Sequence, residues 1–238
     1  RAVARLLPAV PTPILRRLSA RYVAGETLAD AVRVVRGLNR EGFRATVDLL
    51  GEFVRTTGEA ERVADAYLEA LDRIASERLD VNISVKLTHL GLKLDRALAR
   101  SLVERLAERA ARYGNFVRID MEDSSCLDDT YAVFDEVSAR HANVGLVLQA
   151  YLRRAWSDMH RYEGRRMNYR VCKGIYREPY DVAFPHPEAV RRNFTALLEE
   201  ILRVGHYVGI ATHDELVAWE AERLIRAALE YALHHKRK

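Results

Sequence analysis

The chain has 238 residues, of which 49% are hydrophobic and 30% charged, with 12 glycines and 6 prolines. That balance excludes a disordered or collagen-like chain and describes one soluble globular domain with a sizeable core. The formal net charge is +4, and Lys236-Arg237-Lys238 supplies three of those charges. Without a second dense basic run interleaved with stacking aromatics, nothing argues for a nucleic-acid surface. Cys126 and Cys172 lie in unrelated segments and form no CxxC pair, so neither a disulfide framework nor a zinc site is indicated. Reduced thiols in a cytoplasmic protein are the simple reading. No apolar run is long enough to span a bilayer. The first residue is Arg1 rather than Met, which leaves room for a preceding segment.

Residues 1–23 are arginine-rich and broken by Pro8, Pro11 and Pro13, which stop any helix from running through them, so they read as an arm. Thr27 then stands before Leu28, Ala31, Val32, Val35 and Leu38 at helical spacing, with Asp30 three residues on and Gly42 near the stop. This predicts one surface-packed helix opened by an acidic capping box. Residues 1–44 are thus expected to form an N-terminal arm and helix, ahead of a second unit, 45–238.

That second unit has a rhythm. Strand-like runs at 45–52, 82–88, 116–123, 144–151, 170–176 and 207–214 alternate with amphipathic stretches at 59–77, 95–112, 128–141, 153–162, 188–204 and 215–232. Such alternation predicts a parallel sheet covered by helices. An open dinucleotide-binding sheet should show G-x-G-x-x-G after its first strand. Here that turn reads Asp48-Leu49-Leu50-Gly51-Glu52, which is no such motif.

In a (β/α)8 barrel, functional side chains come from the C-terminal ends of many strands. Polar residues gather at those ends here: Asp48 and Glu52; Lys86 and Thr88; Asp120 and Glu122; Gln149; Arg170 and Lys173; Thr212, His213 and Asp214. Parity supports an inward polar face, since Ser84, Lys86 and Thr88 oppose Ile83, Val85 and Leu87, and Arg118, Asp120 and Glu122 oppose Val117, Ile119 and Met121. Each group has a bland reading as well: Asp214 and Asp123 as helix caps, His213 as a core histidine, Tyr176 as ordinary packing. The conjunction of six such strand ends outweighs any of them. On alternation, Arg170, Cys172, Gly174 and Tyr176 share one face of the fifth strand.

These residues resemble the proline dehydrogenase family, in the form found as a separate bacterial flavoprotein. The resemblance is carried in order by Ala45-Thr46-Val47-Asp48-Leu49-Leu50-Gly51-Glu52, Ser84-Val85-Lys86-Leu87-Thr88, Arg118-Ile119-Asp120-Met121-Glu122-Asp123, Leu148-Gln149-Ala150-Tyr151, Cys172-Lys173-Gly174-Ile175-Tyr176-Arg177-Glu178-Pro179 and Ala211-Thr212-His213-Asp214. It implies a distorted (β/α)8 TIM-type barrel holding FAD, which oxidises L-proline to 1-pyrroline-5-carboxylate and passes electrons to a quinone. It also implies a cytoplasmic protein with at most peripheral contact at the inner membrane surface.

Carried over by position, the family pattern gives Asp120 and Arg170 as catalytic residues and Lys86 and Tyr176 to the substrate. Met121, Gln149, Lys173, Gly174, Ile175, Thr212 and His213 fall where the family contacts FAD. No metal ligand set is expected. A further expectation, from charge balance, is that Glu52 pairs with Arg170 across the barrel. After Asp214 only one helix follows, so about six of the eight strand-helix units are expected. The family's Tyr-x-x-Arg-Arg element, which grips the substrate carboxylate, has no counterpart, and this implies a truncated chain.

Two other readings stay open. One is an inactive or substrate-binding-deficient member of the same family. The other is a Schiff-base aldolase using Lys86 or Lys173 as the nucleophile.

Overall fold

The computed structural model describes residues 23–235; the arm expected at the N-terminus, up to residue 22, and the basic run 236–238 lie outside the described residues. The capping box forms as expected. Thr27 Oγ1 accepts from the Asp30 backbone N–H at 3.2 Å, and the Asp30 carboxylate accepts from the Thr27 N–H at 3.3 Å. The helix it opens, α1 (Leu28–Arg40), buries Val32 and Val35.

Six strands follow, each answered by a helix: β1 (Ala45–Val47), α2 (Thr57–Ser76), β2 (Val81–Val85), α3 (Arg96–Arg112), β3 (Val117–Ile119), a 3-10 turn (Ser124–Cys126) with α4 (Leu127–Ser138), β4 (Val144–Gln149), α5 (Ala155–His160), β5 (Asn168–Cys172), α6 (Pro187–Val204), β6 (Tyr207–Ala211) and α7 (Glu215–His235). All five pairings are parallel, and the strand order in space equals the order in sequence. This is the βα progression of a TIM-type barrel, with six of its units present among the described residues. β1 and β6 are the two edges of the sheet.

The outer face of the sheet holds the core. Ile83, Val85, Val117, Ile119, Leu146, Tyr169 and Val171 are buried under the helices. α2 meets them with Ala60, Ala64, Tyr67, Leu71 and Ile74, spaced to lie on one side of a helix. Each large apolar side chain so buried contributes about 1.5–3 kcal/mol.

The opposite parity turns into the barrel. Register places Ser84 beside Arg118 and Arg118 beside Gly145, and one level higher Val147 beside Arg170 and Arg170 beside Gly209.

The ladders are shorter than the apolar runs, for local reasons. After Val47 the Leu49 N–H donates to the Tyr67 hydroxyl oxygen at 3.1 Å, and Tyr67 donates to Asp48 at 3.0 Å, so a side chain from α2 replaces the neighbouring strand. β5 ends at Cys172, and Gly174 adopts φ +97°. The expected alternation through Gly174 and Tyr176 is therefore broken, and those two residues belong to a loop.

Candidate active site

Where β2 and β3 end, beside the middle of β5, the expected residues Lys86, Asp120 and Arg170 come together. Arg170 forms an ion pair with Asp120, its Nη2 also donating to Ser84 Oγ at 3.0 Å, while Ser84 Oγ donates to Asp120 Oδ1 at 2.7 Å. Lys86 Nζ donates to Asp48 Oδ2 at 2.9 Å, which ties the end of β2 to the loop after β1. Burial pushes the Asp120 carboxyl above its ordinary value, and the opposing pull of Arg170 and Ser84 does not cancel it. For Lys86, burial acts to lower the pKa, but the bond to Asp48 and the charges of Asp120 and Glu122 outweigh it and leave the pKa raised.

The expected bond between Glu52 and Arg170 does not form. Arg170 takes Asp120, which register sets at its own level, while Glu52 lies five residues beyond the end of β1 and accepts from the Tyr176 hydroxyl at 3.2 Å.

One level nearer the mouth, Gln149 is buried. Its Nε2 donates to the Met121 carbonyl at 3.0 Å, and its Oε1 has no hydrogen-bond partner among the described residues. Met121 is also buried. Glu122, 2% exposed, accepts from the Thr88 N–H at 3.0 Å and from the Thr88 hydroxyl, and burial raises its pKa. Gly174 must lack a side chain on two counts, since φ is +97° and a Cβ would fall 2.1 Å from the Tyr151 ring. Burial pushes the Cys172 thiol up to about 11, so it is a poor nucleophile.

The remaining expected residues lie along the β5 and β6 ends. Ile175 and His213 are exposed, and the Thr212 hydroxyl accepts from the Asp214 N–H at 3.0 Å. Asp214 stands directly before α7, where its carbonyl accepts from the Ala218 N–H at 2.9 Å, and its carboxylate holds two cations: Lys173 Nζ at 3.1 Å and Arg191 Nε at 2.8 Å.

Those partners, Arg191 first, hold the Asp214 carboxyl down at about 2. A carboxylate depressed by folding contributes stability above its unfolded value near 3.8, and that contribution fades as pH falls toward 2. The gap in urea midpoint between the wild type and Asp214→Asn should accordingly be constant from neutral pH down to about 5 and shrink below about 4. A gap that stays constant to the acid limit would remove this ion pair from the account.

Among the described residues no group of His, Cys, Asp and Glu is placed to hold a metal ion. Sequence reasoning gives no role to Ser84, which bridges Asp120 and Arg170, or to Glu178, whose carboxylate binds Ser124 across the mouth. Parity marks the first as inward-facing, and no local signal marks the second.

The comparisons with known proteins follow this geometry. A family model described as "Proline dehydrogenase" matches residues 31–228. Proline dehydrogenase 1 of Bacillus subtilis (strain 168) is 37% identical over 210 residues, covering 88% of this chain and 70% of that protein. Proline dehydrogenase of Deinococcus radiodurans is 34% identical over 217 residues, covering 88% of this chain and 69% of that protein. Among solved structures, proline utilization A (PutA) from Bdellovibrio bacteriovorus inactivated by N-propargylglycine superposes with a TM-score of 0.74 at 21% identity, over 87% of this chain and 27% of that one. At that identity the likeness speaks for the barrel fold. The chain thus spans about 70% of the length of the Bacillus relative and about a quarter of the PutA chain. Strand order, inward polar levels and the family match over most of the sequence agree that the chain belongs to the proline dehydrogenase family.

Proposed function

We propose that the chain oxidises L-proline to 1-pyrroline-5-carboxylate with FAD as cofactor and a quinone as the electron acceptor, a step of proline catabolism. The observation that carries this reading is the meeting of Lys86, Asp120 and Arg170 beneath a buried Gln149 whose Oε1 has no partner among the described residues. An amide that spends its donor on Met121 and keeps an acceptor free suits the imide N–H of a flavin's pyrimidine edge. Met121, Gln149, Lys173, Gly174, Ile175, Thr212 and His213 are the residues that would hold FAD. When bound, FAD supplies the two-electron acceptor.

The chain's own groups bind and orient. Lys86 offers a point charge to the proline carboxylate, and its acidic neighbours keep it protonated. That same protonation disfavours Schiff-base chemistry, which needs a lysine with a lowered pKa. Asp120 and Ser84 fix the guanidinium of Arg170, whose charge stabilises negative charge developing on the acceptor. Tyr176 lines the substrate side, held by Glu52. No described helix is long and apolar enough to cross a membrane. This reading has the quinone met by peripheral contact, from the cytoplasmic side.

The test is purification with FAD followed by anaerobic addition of L-proline. The flavin band should bleach with proline, and Lys86→Met should need much more proline to reach the same bleaching. A yellow protein that never bleaches would favour binding without turnover, and failure to retain FAD at all would remove the reading.

A further inference from the structure

The loop after β5 carries Lys173, Gly174, Ile175 and Tyr176, and Glu178 ties it to the loop after β3. Glu178 Oε1 accepts from the Ser124 backbone N–H at 2.7 Å, and Oε2 accepts from the Ser124 hydroxyl at 2.6 Å. Both carboxylate oxygens are thus committed to one residue 54 positions away. Ser124 opens the 3-10 turn that follows Met121 and Glu122. The local capping role there is already filled, because Asp123 Oδ1 accepts from the Ser125 N–H at 2.9 Å. Lys93, from the loop after β2, donates to the Ser125 carbonyl at 3.0 Å and to its hydroxyl at 2.8 Å. The loops after β2, β3 and β5 are joined in this way around one side of the mouth.

We propose that Glu178 is a positioning residue whose two-pronged clasp on Ser124 sets the height of the β5 loop, and with it Tyr176, over the cleft. A charged acceptor with two short bonds is among the stronger single contacts a loop can have. The Tyr176 side chain has its own bond, 3.2 Å to Glu52 in another loop, and the backbone is held on one side at Lys173, whose carbonyl accepts from the Tyr151 N–H at 2.9 Å, and on the other at Tyr180, whose carbonyl accepts from Arg153 at 2.7 Å. Between those two points Glu178 makes two charged bonds, so losing it loosens the stretch that carries the tyrosine. The groups placed beneath it, Arg170 within β5 and Lys86 and Asp120 one residue past β2 and β3, keep their partners. The consequence for proline binding rests on the proposed function; the clasp itself does not.

The experiment therefore has two arms, on the FAD-loaded protein with wild type, Glu178→Ala, Glu178→Gln and Ser124→Ala. In the first, without substrate, trypsin cleavage after the exposed Arg177 is followed by mass spectrometry. Cleavage there, divided by the rate at the same site in each urea-unfolded variant so that the change of the residue after Arg177 cancels, should be about tenfold faster in Glu178→Ala and intermediate in the two variants that keep one bond, with other sites unchanged. In the second arm, KM for L-proline should rise about tenfold in Glu178→Ala while kcat stays within about threefold, the pattern of lost binding rather than lost chemistry. An Arg177 rate within about twofold of wild type, or faster cleavage at every site, would overturn the clasp. Faster cleavage at Arg177 with KM unchanged would overturn the positioning role. A wild type without proline turnover would remove the proposed function instead, and the first arm would still decide the clasp.

Discussion

Asp120→Ala should destabilise the protein by about 3 kcal/mol, the low end of what removing one partner of a buried ion pair costs. The low end applies because Arg170 keeps a quarter of its side-chain surface in solvent and retains the Ser84 hydroxyl at 3.0 Å. The cost comes from the guanidinium left behind, since Asp120 is the carboxylate that balances its charge. For a domain of this size that corresponds to a fall in Tm of roughly 6–12 °C. Asp120→Asn keeps an acceptor in place and should lose about half as much. The diagnostic variant is the double change Asp120→Ala with Arg170→Met, which removes the orphaned charge and should recover about 1–3 kcal/mol relative to Asp120→Ala. Urea unfolding of the four proteins measures this directly. A double variant no more stable than Asp120→Ala would mean that the pair does not act as a unit.

The partner choice behind that prediction separates what can be read from the sequence and what cannot. Period-2 parity in β2 and β3 is enough to turn Ser84, Lys86, Arg118 and Asp120 inward, because a parallel strand buried on its outer face leaves no other place for them. Which inward charge meets which depends on register between strands. Alternation carries no such information, so charge balance alone points Glu52 at Arg170 when Asp120 stands at its level. Strand ends read from sequence run too long for a related reason. A run such as Arg170 to Tyr176 keeps its alternation on paper, but the left-handed φ at Gly174 turns the chain out of the sheet. Asp214 stands before a helix, as its neighbours in sequence suggest, but the partners of its carboxylate, Lys173 and Arg191, lie 41 and 23 residues away, where no local pattern points.

Parity turns Arg118 inward as well, yet the residue that makes room for it reads in sequence as part of an apolar run. Gly145 stands directly opposite Arg118 in the β3/β4 register. A Cβ there would fall 2.4 Å from the Asn168 carbonyl oxygen, 2.6 Å from the Phe116 ring and 2.8 Å from Arg118 Nη1. The Arg118 guanidinium is buried, and no acidic side chain among the described residues pairs with it. It donates to the carbonyls of Asn168 at 2.7 Å and Leu146 at 3.1 Å, lies 4.8 Å from the Phe116 ring centre, and is pulled down to about 10, first by burial and then by Arg170.

Gly145→Ala therefore meets backbone that cannot swing aside and displaces a buried cation from its acceptors. Overpacking alone costs about 1–3 kcal/mol, and loss of a charged hydrogen bond adds about 1.5–3 kcal/mol. We expect a total of about 3–5 kcal/mol, with loss of the soluble folded form at about 37 °C as the severe outcome. Gly37→Ala is the matched control. Gly37 sits inside α1, and a Cβ added there would meet nothing within 4 Å, so alanine should stabilise by about 0.5–1 kcal/mol. Adding Arg118→Met to Gly145→Ala should recover part of the loss and no more, because the clash with the Asn168 carbonyl remains. Thermal unfolding of these variants decides the matter: full recovery would assign the whole cost to the guanidinium, and a Gly145→Ala protein as stable as wild type would show that the cradle around Arg118 can yield.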